Sequence, residues 1–296
     1  MLIGADVEFF VKNSLGEAIP AFTIIPNSKD NPLKKQDVKL YFDNVLLEFN
    51  IPPSKDLKTF VKNITNGINF AESKIRPNFL DLSASSYFNS ENLEDKRAKE
   101  VGCEIEYNAY NFKPNNDIEE ALRNTSIRTS GGHLHLSGEK HDAIDDKTLY
   151  PIFVYMMDLF VAIPSILIEK DYSQRDRRKI FGKAGSYRIK PYGIEYRVLS
   201  SWWTSKPEYS ALIYRMCEFV FEFMNNEMWK KFWNLNIDDI YEGNNEKAYS
   251  CFGYDVDLVT KTINEYDVVM AEKLYDFISN FMPNDICEEI LIHRKK

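Results

Sequence analysis

Polar and apolar positions alternate from the first residues onward. Leu2 to Val11 reads as a strand, Asn13-Ser14-Leu15-Gly16 has turn chemistry, and Ala18 to Phe22 returns as its partner. A second hairpin pairs Val38–Phe42 with Val45–Asn50 across Asp43-Asn44, and Ile51-Pro52-Pro53 is expected to end it because proline cannot donate to a ladder. The period then changes. Leu57, Phe60, Val61, Ile64, Ile68, Ala71 and Ile75 recur at helical spacing, predicting a helix over about Lys55–Lys74 with Ser54 as N-cap. Phe79–Phe88 alternates as a strand, Asn92–Lys99 reads as a short polar helix, and Gly102–Glu106 reads as a strand. A short helix is expected near Ile118–Arg123, then a strand segment over Ile127–Ser137. The apolar run Leu149–Ile168 predicts a long buried helix, kinked or broken near Pro164. Arg175–Lys190 reads as a basic loop and Ile194–Ser201 as a strand. From about residue 206 the pattern is mostly helical, with Tyr209, Leu212, Ile213, Met216, Phe219, Val220 and Phe223 in one stripe. Strands and helices alternate without the regular spacing of a parallel sheet. The expected fold class is therefore α+β, a curved, mainly antiparallel sheet flanked by helices, in one domain spanning 1–296 with a helical C-terminal region.

Composition narrows the function classes. A net charge of −8 argues against general nucleic-acid binding, which needs basic surface to displace counterions. The four cysteines form no CxxC pair, so neither a disulfide framework nor a cysteine zinc site is expected, and a reducing cytoplasm fits best. No signal peptide is evident at the N-terminus. Leu149–Ile168 has the length of a membrane span, but Asp158 at its centre and the two prolines, Pro151 and Pro164, favour a core helix.

Candidate chemistry sits in the strands. Asp6 and Glu8 are two residues apart and share a strand face, where their charges repel unless a cation intervenes. Taken alone, the pair reads equally well as ordinary charge on a wet strand. Glu48 lies in the apolar run Leu46–Phe49 and needs a partner if buried. Glu104 and Glu106 repeat the two-residue spacing. Arg128-Thr129-Ser130-Gly131-Gly132-His133-Leu134-His135-Leu136-Ser137 places two of the four histidines on one face behind two glycines, which let backbone approach a ligand closely. Such a pair suits zinc about as readily as a nucleotide site, and the carboxylates tilt the reading toward Mg or Mn. Arg175, Arg177, Arg178, Lys179, Lys183, Arg188 and Lys190 concentrate positive charge in an acidic chain, which suits a polyphosphate, although Lys179 and Lys190 also fit a solvated face. No Walker A order is present. Glu195 and Arg197 share a face, as an ion-pair ladder or as metal and phosphate contacts.

In order, these pieces resemble the glutamine synthetase and glutamate–cysteine ligase group of carboxylate–amine ligases. More narrowly, GADVEFF, DNVLLEFN, RTSGGHLHLS and FGKAGSYRIKPYGIEYRVLSSWW resemble the phage-encoded amidoligases called carboxylate–amine ligase type 2. The resemblance implies a glutamine-synthetase-like sheet and an ATP- and Mg- (or Mn-) dependent amide synthesis through an acyl phosphate. It implies that Asp6, Glu8, Glu48, His133 and Glu195 hold two divalent ions. His135 and Ser137 would touch nucleotide phosphates, with Arg128 and Lys183 as further phosphate or carboxylate contacts. Arg188 and Arg197 would bind the transferring phosphoryl group and the acyl substrate, and Glu104 or Glu106 could take the proton of the amine. Val7 stands where the narrower family commonly has proline, and Glu104 and Glu106 stand where it tends toward aspartate. Acid and amine are expected as small molecules or on a peptide or protein, without nucleic acid or membrane. Related synthetases share sites between subunits, which makes a homo-oligomer an expectation. A phosphotransferase on the same sheet, a zinc hydrolase using His133 and His135, and a non-catalytic phage binding protein are the competing readings.

Overall fold

The computed structural model describes residues 1–99, 105–114, 125–140, 142–169 and 171–231. The expected helix near Ile118–Arg123, Glu104, and the chain beyond 231 lie outside the described residues. The architecture is α+β, dominated by one large antiparallel sheet. Its strands are β1 (Leu2–Lys12), β2 (Ala18–Ile19), β3 (Leu33–Lys35), β4 (Val38–Asp43), β5 (Leu46–Ser54), β6 (Phe79–Asp81), β8 (Tyr107–Asn108), β9 (Lys113–Pro114), β11 (Gly132–Ser137), β12 (Ser186–Lys190) and β13 (Gly193–Tyr196). The main path is β3-β4-β5-β1-β11-β13-β12-β8-β9, with β2 and β6 also paired to β1. β7 (Ser85–Tyr87) and β10 (Ile127–Thr129) make a separate two-stranded sheet.

Alternation assigns the two faces of the main sheet. Ile3, Ala5, Val7 and Phe9 of β1, Leu47 and Phe49 of β5, and Leu134 and Leu136 of β11 are buried together on the apolar face. Helices α1 (Leu57–Ile75) and α4 (Pro207–Asn225) and the apolar helix α2 (150–168) contribute to the same core. Phe60 of α1 stacks on Trp203, and Phe153 and Phe160 of α2 meet Phe221 and Phe219 of α4 edge-on. Asp56, rather than Ser54, caps α1 by accepting from Thr59 N–H at 2.9 Å.

Helix α2 runs Tyr150–Met157, passes through a π-helical turn at Asp158–Ala162, and resumes over Ile163–Ile168. Pro164 cannot donate to the carbonyl one turn back, and the wider turn, with Ile163 N–H bonded to Asp158 O, absorbs that loss. The apolar window Lys147–Ile166 is long enough to cross a membrane and is 83% buried in this fold. Asp158 accepts from Tyr110 Oη (2.8 Å), Tyr196 Oη (2.6 Å) and Gly185 N–H (2.5 Å). Burial still pushes its carboxyl up to about 6.

Several predicted elements are corrected. β5 continues through Pro52 and Pro53 to Ser54, because β4 pairs only as far as Asn50 and a register shift in β1 between Ile3 and Ala5 absorbs the prolines. Phe79–Phe88 divides between two sheets as β6 and β7. Asn92–Lys99 forms 3-10 turns at Ser90–Leu93 and Lys96–Lys99. Arg175–Lys190 is not a loop: Gln174–Ile180 is a helix, α3, that buries Arg177 and Arg178, and β12 follows. β13 stops at Tyr196, before a 3-10 turn at Ser201–Thr204.

One prediction tests the core. A Cβ on Gly67 of α1 would lie 2.6 Å from the Phe49 ring. Gly67→Ala should therefore destabilise the protein by about 1–2 kcal/mol, overpacking outweighing the gain of ~1 kcal/mol in helix propensity. The urea midpoint checks it; a raised midpoint would show that helix and sheet are not in close contact there.

Candidate active site

The polar face of the sheet carries the candidate chemistry because the register brings it to one level. Asp6 of β1 lies between His133 of β11 and Asn50 of β5, and Glu8 lies opposite Glu48. Tyr41 of β4 faces Glu48 from the other side. Across β11, Glu195 of β13 pairs with His135, and Arg188 of β12 pairs with Glu195. Of these, Asp6, Glu8, Glu48, His133, Glu195 and Arg188 line a cleft of about 250 Å³.

The wall built by β1, β4 and β5 is acidic. Carboxylate oxygens of Glu8, Asp43 and Glu48 all lie within 4.8 Å of one another. Glu48 is buried and accepts from Tyr41 Oη; Glu8 accepts from Gly131 N–H at 2.5 Å. Enclosure, with Asp43 adding like charge, pushes the Glu8 carboxyl up to about 7. Burial and the neighbouring Asp6, Asp43 and Glu8 raise Glu48 well above the usual range. Asp43 was expected only as a turn residue. Its signal in the sequence was the spacing Tyr41-x-Asp43, which puts it on the face that carries Glu48.

The opposite wall is basic. Glu195 is buried, but the charges around it, Arg197 foremost, outweigh that burial and hold its carboxyl well below the usual range. Arg197 donates through one nitrogen to Glu195 and through Nε to Glu106 at 2.8 Å. Lys190 Nζ is 3.0 Å and Arg188 Nη1 3.7 Å from Glu195. Arg177, buried behind them, donates to the carbonyls of Ser130 (2.7 Å), Val198 (2.5 Å) and Arg197 (3.1 Å), and so ties the β10–β11 junction to the end of β13. Gly182 is required there, since its positive φ of 68° and the Arg177 guanidinium beside it leave no room for a Cβ. Arg128 of β10 donates Nη1 to Thr125 O and Ile127 O, and its buried Nε has no hydrogen-bond partner among the described residues.

The two histidines have different surroundings. Burial, then the Arg197 charge, depress His133 far below the ordinary imidazole value, so the ring is neutral; its Nδ1 is 3.2 Å from Arg197 Nη1. Burial opposes protonation of His135 too, but Asp6, 3.0 Å from its Nε2, outweighs it and raises the pKa. The glycines before them make room for packing, and Gly131 also lines the cleft. A Cβ on Gly131 would strike the His133 ring, and one on Gly132 would strike Trp203 and Ser200.

Of the residues singled out from sequence, Asp6, Glu8, Glu48, Arg128, His133, Arg188, Glu195 and Arg197 line the cleft. His135 stands one step further along β11 and bonds to Tyr192. Glu106 is buried behind Arg197, and Ser137 and Lys183 do not line the cleft. The five residues expected around metal divide, with His133 set against Arg197 and Glu195. Glu8 and Glu48 join Asp43, while Asp6 engages His135 and Asn50, and Glu195 engages the basic side chains.

Residues 125–284, more than half of the chain, match the family described as phage phiEco32-like COOH.NH2 ligase-type 2. The chain belongs to this family. No curated protein matches it. The matched segment of this type 2 ligase relative includes His133, Arg188, Glu195 and Arg197; the acidic wall comes from the strands that precede it.

The acidic wall predicts a pH dependence. In a metal-free sample the folded Glu8 keeps its proton up to about 7, whereas an unfolded glutamate loses it near 4.5. The native state binds more protons between those values, so this group's contribution to stability falls as pH rises through the window. Glu48 acts in the same direction. With chelator present, the thermal midpoint of wild type relative to Glu8→Gln should drop from about pH 5 to about pH 7. A constant difference would mean that Glu8 is ionised throughout.

Proposed function

We propose that this chain is an ATP- and magnesium-dependent carboxylate–amine ligase that forms an amide through an acyl phosphate. The observation that carries the reading is the segregation of charge in the cleft. Glu8, Asp43 and Glu48 converge on one side, and Arg188, Arg197, Arg128 and Arg177 line the other. Phosphoryl transfer to a carboxylate needs both: oxygen ligands for a hard cation, and cations around the transferring and accepting oxygens.

The residues present fit a divalent ion. Three crowded carboxylates repel one another unless a cation lies between them, and all-oxygen donors suit Mg or Mn. When bound there, the ion supplies positive charge against the oxygens of the triphosphate. Neutral His133 and Asp6 stand beside the group as further donors. The paired-histidine zinc reading is not favoured, since His133 faces Arg197 and Glu195 while His135 faces Asp6 and Tyr192.

In the proposed reaction a carboxylate oxygen of the acid attacks the γ-phosphorus of ATP, the bond to the β-phosphate oxygen breaks, and ADP leaves. The amine nitrogen then attacks the acyl carbon, the carbon–oxygen bond to phosphate breaks, and phosphate leaves as the nitrogen gives up a proton. Arg188, and Arg197 held in place by Glu106 and Glu195, oppose the negative charge that gathers on these oxygens. Arg128, with its unpartnered Nε, is the further anion contact. Acid and amine are small molecules or groups on a peptide or protein. The cysteine pattern favours a host cytoplasmic setting.

The test is ATP, Mg and a panel of acids and amines. ADP release should require both an acid and an amine, and the acid should gain the mass of the amine less one water. Arg188→Ala and Glu48→Gln should each lower turnover about 100-fold or more. ADP release without amine, with phosphorylated acid accumulating, would assign a phosphotransferase. No ADP from any pairing would overturn the reading.

A further inference from the structure

Moving along β1 and β11 away from the acidic wall, the polar face steps from the Asp6–His133 pair to the Gly4–His135 pair. Gly4 puts no side chain on this part of the face; it is buried, and a Cβ built there would lie 3.4 Å from Ile51 O and 3.6 Å from His135 Cβ and Pro53 Cα. The turn between β12 and β13 brings Tyr192 to the edge of this strip. Its hydroxyl shares a hydrogen bond with His135 Nδ1, and the two rings are 5.8 Å apart at 45°. His135 is held from its other side by Asp6. The turn itself is fixed, because Gly193 sits against the Leu136 carbonyl at a φ of 152°. Tyr192 is thus anchored at its hydroxyl by the half-buried His135, itself held by the buried Asp6, yet remains 50% exposed. Isolated exposed aromatics are ordinary. This one is held rigidly, and its hairpin also carries Arg188, Lys190 and Glu195 of the basic wall.

We infer that Tyr192 is a nucleobase platform, with the base of a bound nucleoside triphosphate stacked on its ring and the phosphates running past His135 into the cleft. The inference rests on the nucleotide-dependent reading above and adds where the base sits. Stacking on an aromatic ring accepts any base, because every base has a π-face. A ring already fixed by His135 loses little freedom when the base arrives. Lys190, which reaches Glu195 from the same hairpin, adds positive charge between platform and cleft.

Calorimetry of Mg·ATP and Mg·tripolyphosphate against wild type, Tyr192→Ala and Tyr192→Phe decides it. Wild type should bind ATP more tightly than tripolyphosphate. Tyr192→Ala should weaken ATP by about 5- to 150-fold, leave tripolyphosphate unchanged, and so remove the difference. Tyr192→Phe, which keeps the ring and loses the hydroxyl, should retain most of the ATP preference. Equal weakening of both ligands by Tyr192→Ala would show that Tyr192 only supports His135, and unaltered ATP binding would show no role in binding; either overturns the platform while leaving the ligase reading intact. Wild type that binds neither ligand would overturn the nucleotide reading and the platform with it.

Discussion

Three carboxylates whose oxygens lie within 4.8 Å of one another set the terms for the rest of this structure. Glu8 and Glu48 come from adjacent strands in direct register, so sheet pairing itself forces their approach. Asp43 adds a third charge from the next strand. The fold answers with Tyr41 on Glu48 and the Gly131 amide on Glu8, and both carboxyls still stay above the usual range. Under the proposed reading, a cation among the three carboxylates would relieve that repulsion.

The basic wall is the counterpart, and it is positioned by the back of the sheet. Asp158, on the π-turn of α2, accepts from Tyr196 and from the backbone of Gly185. Tyr196, the last residue of β13, lies between Glu195 and Arg197, with its side chain on the opposite face. The core helix therefore holds the strand whose cleft-side residues carry the charge. Arg177 adds a second tie by gathering the carbonyls of Ser130, between β10 and β11, and of Arg197 and Val198, just past β13. Breaking a buried charged contact of this kind is costly, because it strands the other partner, so the arrangement favours rigidity over adaptability.

Family membership and geometry bear on different parts of the chain. The matched residues begin at 125 and take in the histidines and the basic wall. The acidic wall and Asp43 belong to the first strands, and what ties them to the same chemistry is register: Asp6 opposite His133, and Glu8 opposite Glu48. The divided metal set has the same origin. Asp6 and Glu195 flank the β11 histidines and the arginines, and in this structure they answer those side chains.

Periodicity by itself determined much of this protein. It marked β1, the β4–β5 hairpin, α1, the buried apolar helix and α4, and the two-residue spacing of Asp6 and Glu8, of His133 and His135, and of Glu195 and Arg197 already put each pair on one face. Local patterns are legible because side-chain direction in a strand or helix follows from the backbone repeat. Tertiary structure decided which faces met. Asp43 belonged to a turn until the register of β4 brought it to Glu8; the pairing of Glu106 with Arg197, and the packing of His133 and Trp203 against Gly131 and Gly132, were likewise visible only in the folded chain. Part of the basic stretch is a helix whose Arg177 satisfies three carbonyls, a partnership between distant segments that no local window contains. Strand order and register depend on pairings far apart in the chain, and they determined which charges were buried together.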